Sequence, residues 1–341
     1  ILRRSNRAAM SLMLKLRLLS ACSLIVFISS CARRNEDLKM IELTMNSSVD
    51  SFQDSIFFSR IEDIEFSDDE FYYLDGKTGL IGIFSYDLIF KRLMQTVGPG
   101  PEEVNAAGNF TLSNGSIYIF DNGSGSVKEY TTQDSRFNQA YKLPAIGIST
   151  DFSVFGNSLY ISDFRSEKPL LSYSMDNGEL KRFGLGRKWS NKSFDVERHI
   201  LSDINDNLIV AYQSDSPTIE LYSKTGQLMQ SLDLSYLEIF KNSLVKYKEQ
   251  VLPQRNTSMI IIRDVQLVGD NLYALITSHN VEGNVSFNKI LKCSISDSEI
   301  KPILIYQLNL TGYYLSFSVG KNKLVAFNYS TQSIEQFSLN N

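Results

Sequence analysis

Apolar residues along the chain recur in short alternating runs, each opened by a polar turn. DDEFYYLD (68–75), NGSIYIFD (114–121), NSLYISD (157–163), DNLIVAY (206–212), DNLYALI (270–276) and KNKLVAF (321–327) share this form. Their first strongly apolar residues are Phe71, Ile117, Leu159, Leu208, Leu272 and Leu324, at steps of 46, 42, 49, 64 and 52 residues. Period-two runs bounded by Asn, Asp and Gly predict strands joined by tight turns. A further strand precedes each run (IEDIEF, NFTL, DFSVF, HILSDI, RDVQLV, YLSFSV), another follows it, and most units add a fourth. Units of four strands at this period predict an all-β fold, a six-bladed β-propeller over residues 51–341. The last unit ends after its third strand, so a strand around Met40–Met45 is expected to complete it and close the ring.

The 64-residue step holds SYLEIFKNSLVKYKEQVLP. Ser235 and Glu238 match a capping box, Leu237, Phe240, Leu244, Tyr247 and Val251 recur at helical spacing, and Pro253 stops the run. One helical insert over 235–252 is therefore expected between blades four and five. It either covers part of the propeller or serves as a lid or partner-binding element.

The first thirty residues follow another pattern. Lys15 and Arg17 precede an apolar stretch, Leu18–Ile28, that is too short for a comfortable membrane span. Residues 1–30 are expected to be a secretory signal with upstream residues, Met10 or Met13 being the start. Ile28-Ser29-Ser30-Cys31 resembles a bacterial lipobox. It predicts acylation of Cys31 and cleavage before it, leaving 31–50 as lipidated N-terminus, linker and ring-closing strand. Acyl chains rather than a spanning helix would then hold the chain in the cell envelope, at the outer membrane. Cys293 alternates with apolar residues in ILKCSI and is expected to be a buried, inert thiol.

Charge narrows the partners. Beyond residue 30 the chain holds 29 basic and 38 acidic residues, a net charge of about −9. An acidic exterior lacks the basic footprint that nucleic acid requires. The run EDIEFSDDE (62–70) reads as a solvated strand edge.

Gly98-Pro99-Gly100-Pro101-Glu102-Glu103-Val104 resembles the G-x-G-P-x-E-apolar motif between the first two blades of TolB-like six-bladed propeller lipoproteins. The resemblance implies the propeller fold and an envelope location, and supplies no reaction. Here Gly98 and Gly100 are expected to adopt positive φ in a tight crossing, Pro101 to stiffen it, and Glu103 to accept backbone N–H bonds.

Catalytic motifs are sparse. His199 and His279 sit in no HExxH, and there is no G-x-S-x-G, P-loop or CxxC. One constellation remains. In a propeller the leading ends of the innermost strands ring one mouth of the channel. Counting back from the anchors places Arg60, Asn109, Asp151, Arg198, His199, Arg263, Asp264 and Tyr313 there. The arginines can converge on an anionic group. Alternatively Asn109, Asp151 and Asp264 can hold Ca²⁺. As a third reading, the charges pair with one another. The loop 181–192 adds Trp189 beside Arg187 and Lys188, either packed or stacked on a sugar or partner. The leading expectation is a non-enzymatic envelope module that needs no cofactor and binds a protein or an anionic saccharide. The alternative is a divalent-cation-dependent hydrolase or lyase at the channel mouth, with Ca²⁺ as the candidate ion.

Overall fold

The computed structural model describes residues 38–339 except 54–55, 95, 144–147, 164–166, 185–198, 203–207, 213–215, 247–259, 280–283 and 297–298; for 53, 148–151, 199–202, 208–212, 242 and 246 it describes the backbone alone. Sheet 1 comprises Ile61–Ser67, Glu70–Asp75, Ile81–Ser85 and Phe90–Met94. Sheet 2 comprises Ala107–Ser113, Ser116–Asp121, Ser126–Thr131 and Phe137–Lys142. Sheet 3 runs through Ile148–Phe155, Ser158–Asp163, Leu170–Ser174 and Leu180–Phe183. Sheet 4 is His199–Ser202, Leu208–Tyr212, Thr218–Ser223 and Leu228–Asp233. Sheet 5 is Ile262–Val268, Asn271–His279, Val285–Ser296 and Glu299–Gln307. Sheet 6 is Tyr314–Gly320, Lys323–Asn328 and Ser333–Ser338, joined by Met45–Val49. Within each sheet these strands pair antiparallel in a meander.

The first strands of sheets 1 to 6 neighbour one another in turn, and that of sheet 6 returns to that of sheet 1. The chain is an all-β propeller. Its core follows from this layout. A sheet held between two neighbours buries both faces, so its second strand is apolar almost throughout rather than on alternate residues. In Glu70–Asp75, Ser116–Asp121, Ser158–Asp163 and Lys323–Asn328 every residue after the first is buried. A separate apolar cluster fills each seam. Tyr72, Ile81 and Ile83 meet Phe110, Ile117 and Ile119 between sheets 1 and 2. Phe71, Tyr73 and Phe84 meet Val325, Phe327 and Ile334 between sheets 6 and 1. Each fully buried Phe, Leu or Ile contributes about 1.5–3 kcal/mol of transfer free energy, so the seams dominate the stability.

Several expectations need correction. Six equal four-stranded blades are not what the structure shows. Five sheets are four-stranded, while sheet 5 has a fifth strand, Lys39–Glu42, pairing parallel with its outer edge. The expected closing strand around Met40–Met45 is thus two strands. Lys39–Glu42 goes to sheet 5, and Met45–Val49 completes sheet 6 by pairing with Ser333–Ser338. The helix starts later than Ser235: it is described over Glu238–Lys246. Its capping box does not form, because Ser235 lies in a turn whose N–H donates to Asp233 Oδ1 at 2.8 Å, and Glu238 pairs with Lys241. Leu237 and Phe240 are buried in the seam between sheets 4 and 5, so the helix covers that seam. Residues 247–252 of the expected helix lie outside the described residues. Cys293 is fully buried, and burial pushes its thiol up to about 12.

Candidate functional site

The rim where the first strands begin is organised by one repeated device. The second strand of sheets 1, 2, 3 and 6 ends in Asp75, Asp121, Asp163 and Asn328. Asp75 accepts from the Ser59 hydroxyl and from the N–H groups of Ser59, Lys77 and Thr78. Asp121 accepts from Ala106 N, Gly123 N and the Ser124 hydroxyl. Asn328 accepts from Tyr313 N and Ser330 N. Asp75, Asp121 and Asn328 each tie the turn after their own strand to the segment that enters the sheet, accepting from donors the turning backbone leaves unmet, while Asp163 pairs with Arg182. Burial pulls the carboxyls of Asp75 and Asp121 upward, yet these hydrogen bonds outweigh it and hold both below the usual carboxylate range.

At the channel mouth, Arg60 Nε lies 2.7 Å from Glu62 Oε1, and Arg263 Nη2 lies 3.9 Å from Glu62 Oε2. The structure therefore brings two of the expected arginines together around a carboxylate outside the expected set. Gly76 makes room for it: a Cβ there would fall 2.2 Å from Glu62 Cγ. Arg263 also donates to Leu315 O at 3.3 Å. Asp264 engages backbone N–H groups on its own and the next sheet. Its oxygens accept from Val265 N and, across the seam, from Phe317 N at 2.9 Å. Asn109 accepts from Phe110 N. The ring of Tyr313 packs edge-on against Phe287 and Tyr329. Asp151 and His199 lie on the first strands of sheets 3 and 4, known by backbone only. Arg198, Trp189 and Cys31 fall outside the described residues. Among the described residues no group of three His, Cys, Asp or Glu side chains is disposed to hold a metal ion.

The acidic run 62–70 is not a merely solvated edge. Glu62 joins the arginines, Glu65 accepts Leu112 N at 2.8 Å across the seam to sheet 2, and Glu70 holds Lys91. Glu62 and Asp63 stand nine and eight residues before Phe71, the offsets of Arg263 and Asp264 from Leu272, so they belong beside the expected set. The first strands also carry bulges there. Register slips between Ile61 and Asp63, Ala107 and Asn109, and Ile262 and Asp264. The shared signature is apolar-x-Asp/Asn-apolar: Ile61-x-Asp63-Ile64, Ala107-x-Asn109-Phe110, Ile262-x-Asp264-Val265.

The Gly98–Val104 loop crosses from sheet 1 to sheet 2 on the same rim. Val97 bridges Val104, and Gly98 N donates to Val104 O. Glu103 Oε2 accepts Gly100 N at 2.8 Å. Gly98 and Gly100 are not among the residues with positive φ, contrary to expectation. Space explains them instead: a Cβ on Gly98 would sit 2.1 Å from Glu103 Oε2, and one on Gly100 3.0 Å from it. Below the loop lies a cleft of about 380 Å³, lined by Pro99, Pro101, Glu103, Asn105, Ser126, Lys128 and Lys142 among others. On its lining, Lys128 Nζ stands 3.0 Å from Asp121 Oδ2 and also donates to Glu103 O.

No protein-family model matches the chain, and no curated protein matches it. Solved structures share its fold. A member of the DUF4221 family from Bacteroides vulgatus aligns at TM-score 0.59 with 9% identity, over 89% of this chain and 98% of that one. A protein from Bacteroides fragilis described as exported aligns at TM-score 0.56 with 13% identity, over 87% and 98%. Virginiamycin B lyase from Staphylococcus aureus aligns at 0.52 with 12% identity, over 87% and 100%. At these identities the likeness is one of fold.

Proposed function

We propose that the chain is an envelope lipoprotein whose propeller binds a ligand or protein on the rim where its first strands begin. In this reading residues 1–30 are a cleaved signal, Cys31 is acylated, and the acyl chains hold the domain at the outer membrane. This reading also takes sheet 5, despite its extra strand, as a sixth blade. The observation that carries the binding role is the cleft of about 380 Å³ under the Gly98–Val104 loop, within the size range of small-molecule sites. Loops on a rigid scaffold are where binding residues concentrate. Likeness in fold to a Bacteroides protein described as exported agrees with an envelope location.

The test is to express the full chain in a bacterial host and weigh its N-terminal peptide. A diacylglyceryl-modified Cys31 and partition into detergent are expected, with Cys31→Ser unprocessed or released. Membrane association unchanged in Cys31→Ser contradicts the anchor.

A further inference from the structure

Lys128 is a buried cation at a position where other sheets bury carboxylates. It pairs across from Ile119, as Glu220 pairs with Ala211 and Glu335 with Ala326. Glu335 is answered by the Tyr314 hydroxyl and the Asn328 amide, and Glu220 by the Tyr222 hydroxyl. These partners lie in the carboxylates' own sheets. Lys128 instead lines a cleft.

Hydrogen-bond accounting shows what that cleft offers. Asp121 is saturated: it accepts from Ala106 N, Gly123 N, the Ser124 hydroxyl and Lys128. The Ser124 and Ser126 hydroxyls lie 2.6 Å apart and bond to each other. Glu103 Oε2 is taken by Gly100 N, and its Oε1 is an acceptor on the lining, to be set against the two ammonium groups. An ammonium has three donors, and Lys128 directs two at Asp121 and Glu103 O, leaving a third. Lys142 adds a second ammonium and makes no ion pair among the described residues; Asn105 adds an amide. The unspent groups are mostly donors, two of them cationic, between the walls of Pro99, Pro101 and Ala140.

We infer that this cleft binds the carboxylate of a small ligand, its charge between Lys128 and Lys142 and its body of monosaccharide or dipeptide size against the prolines. The inference rests on the binding role proposed above and names its ligand class. A carboxylate meets both ammonium groups with charge-assisted bonds, whereas a neutral molecule of equal size meets them without charge.

Titration calorimetry on the detergent-solubilised full chain tests it, with galacturonate and N-acetyl-dialanine as two carboxylates and galactose as the neutral probe. At least one carboxylate is expected to bind, the one that does identifying the source, with galactose markedly weaker. Lys142→Ala should weaken that binding by about tenfold, the scale of one charged hydrogen bond, and Lys142→Arg should largely restore it. Lys142 is exposed, so neither variant threatens the fold. Absence of binding by both carboxylates, equal binding of galactose, or unchanged affinity in Lys142→Ala overturns the inference. A protein that binds no carboxylate yet carries a lipidated Cys31, or binds another molecule on this rim, loses this inference alone.

Discussion

Lys128 Nζ lies 3.0 Å from Asp121 Oδ2, with 5% and 1% of the two side chains exposed. Their attraction acts with little solvent screening, but each ion has also lost its hydration. The pair therefore makes each partner necessary to the other more than it adds net stability. Asp121→Asn should leave the cation buried without its counter-charge and cost about 3 kcal/mol. Lys128→Met should cost less, because Asp121 keeps three other donors. The double variant should fall well short of the sum of the singles. Urea unfolding of all four proteins measures the coupling, and strict additivity would refute it.

Gly98 and Gly100 are held by space around one carboxylate. Gly98→Ala should displace Glu103 from Gly100 N and cost about 1 kcal/mol or less, because this hydrogen bond is exposed to solvent. Gly100→Ala should cost less, its Cβ contact being 3.0 Å rather than 2.1 Å. In a Glu103→Ala background Gly98→Ala should be nearly neutral. Thermal melts of the four variants decide it; an undiminished cost in that background would mean the backbone itself needs glycine.

Glu62 stands between Arg60 and Arg263, so the mouth is already occupied by a carboxylate. Glu62→Gln should lower stability by less than about 1 kcal/mol, since Arg60 is half exposed. It should also free the guanidinium groups for sulfate or phosphate. The expected result is a larger melting shift with sulfate in Glu62→Gln than in the parent. Equal shifts would mean that the arginines act apart from Glu62.

How much of this was legible in the chain differs by strand. Phe71, Ile117, Leu159 and Leu324 announce the second strands because those strands are buried on both faces and bounded by polar turns. The first strands hide their register, since a bulge breaks the period of two. Counting from the anchors gave Arg60 and Arg263, whereas Glu62, at the same offset from Phe71 as Arg263 from Leu272, sits in an acidic run that reads as a solvated edge and yet joins them. Ser235 and Glu238 spell a capping box, yet Asp233 claims the Ser235 N–H in a turn. The Gly98–Val104 loop stood out as a motif, but the reason for its glycines lies in where Glu103 folds back. The role of Lys128 was invisible, because nothing in SVKEYT marks which residue opens on a cleft.

Acid should loosen the rim first. Asp75 and Asp121 are held below the ordinary aspartate pKa of about 4 by the bonds they accept. A carboxyl with a lowered native pKa contributes stability fully above the unfolded value and loses it as pH falls toward the native one. Urea stability should thus be level from neutrality to about pH 5 and fall steeply below about pH 4. Asp75→Asn should flatten that fall. A profile identical to the parent's would show that Asp75 carries none of it.

The central claim is that the working surface is the rim around the cleft of sheet 2. Hydrogen–deuterium exchange on the full chain, saturated with whichever of the two carboxylates binds, is the measurement that tests it. Slowed exchange is expected in 97–105, 121–128 and 140–142, with the opposite rim unchanged. Protection confined to the opposite rim, or none anywhere, would contradict it.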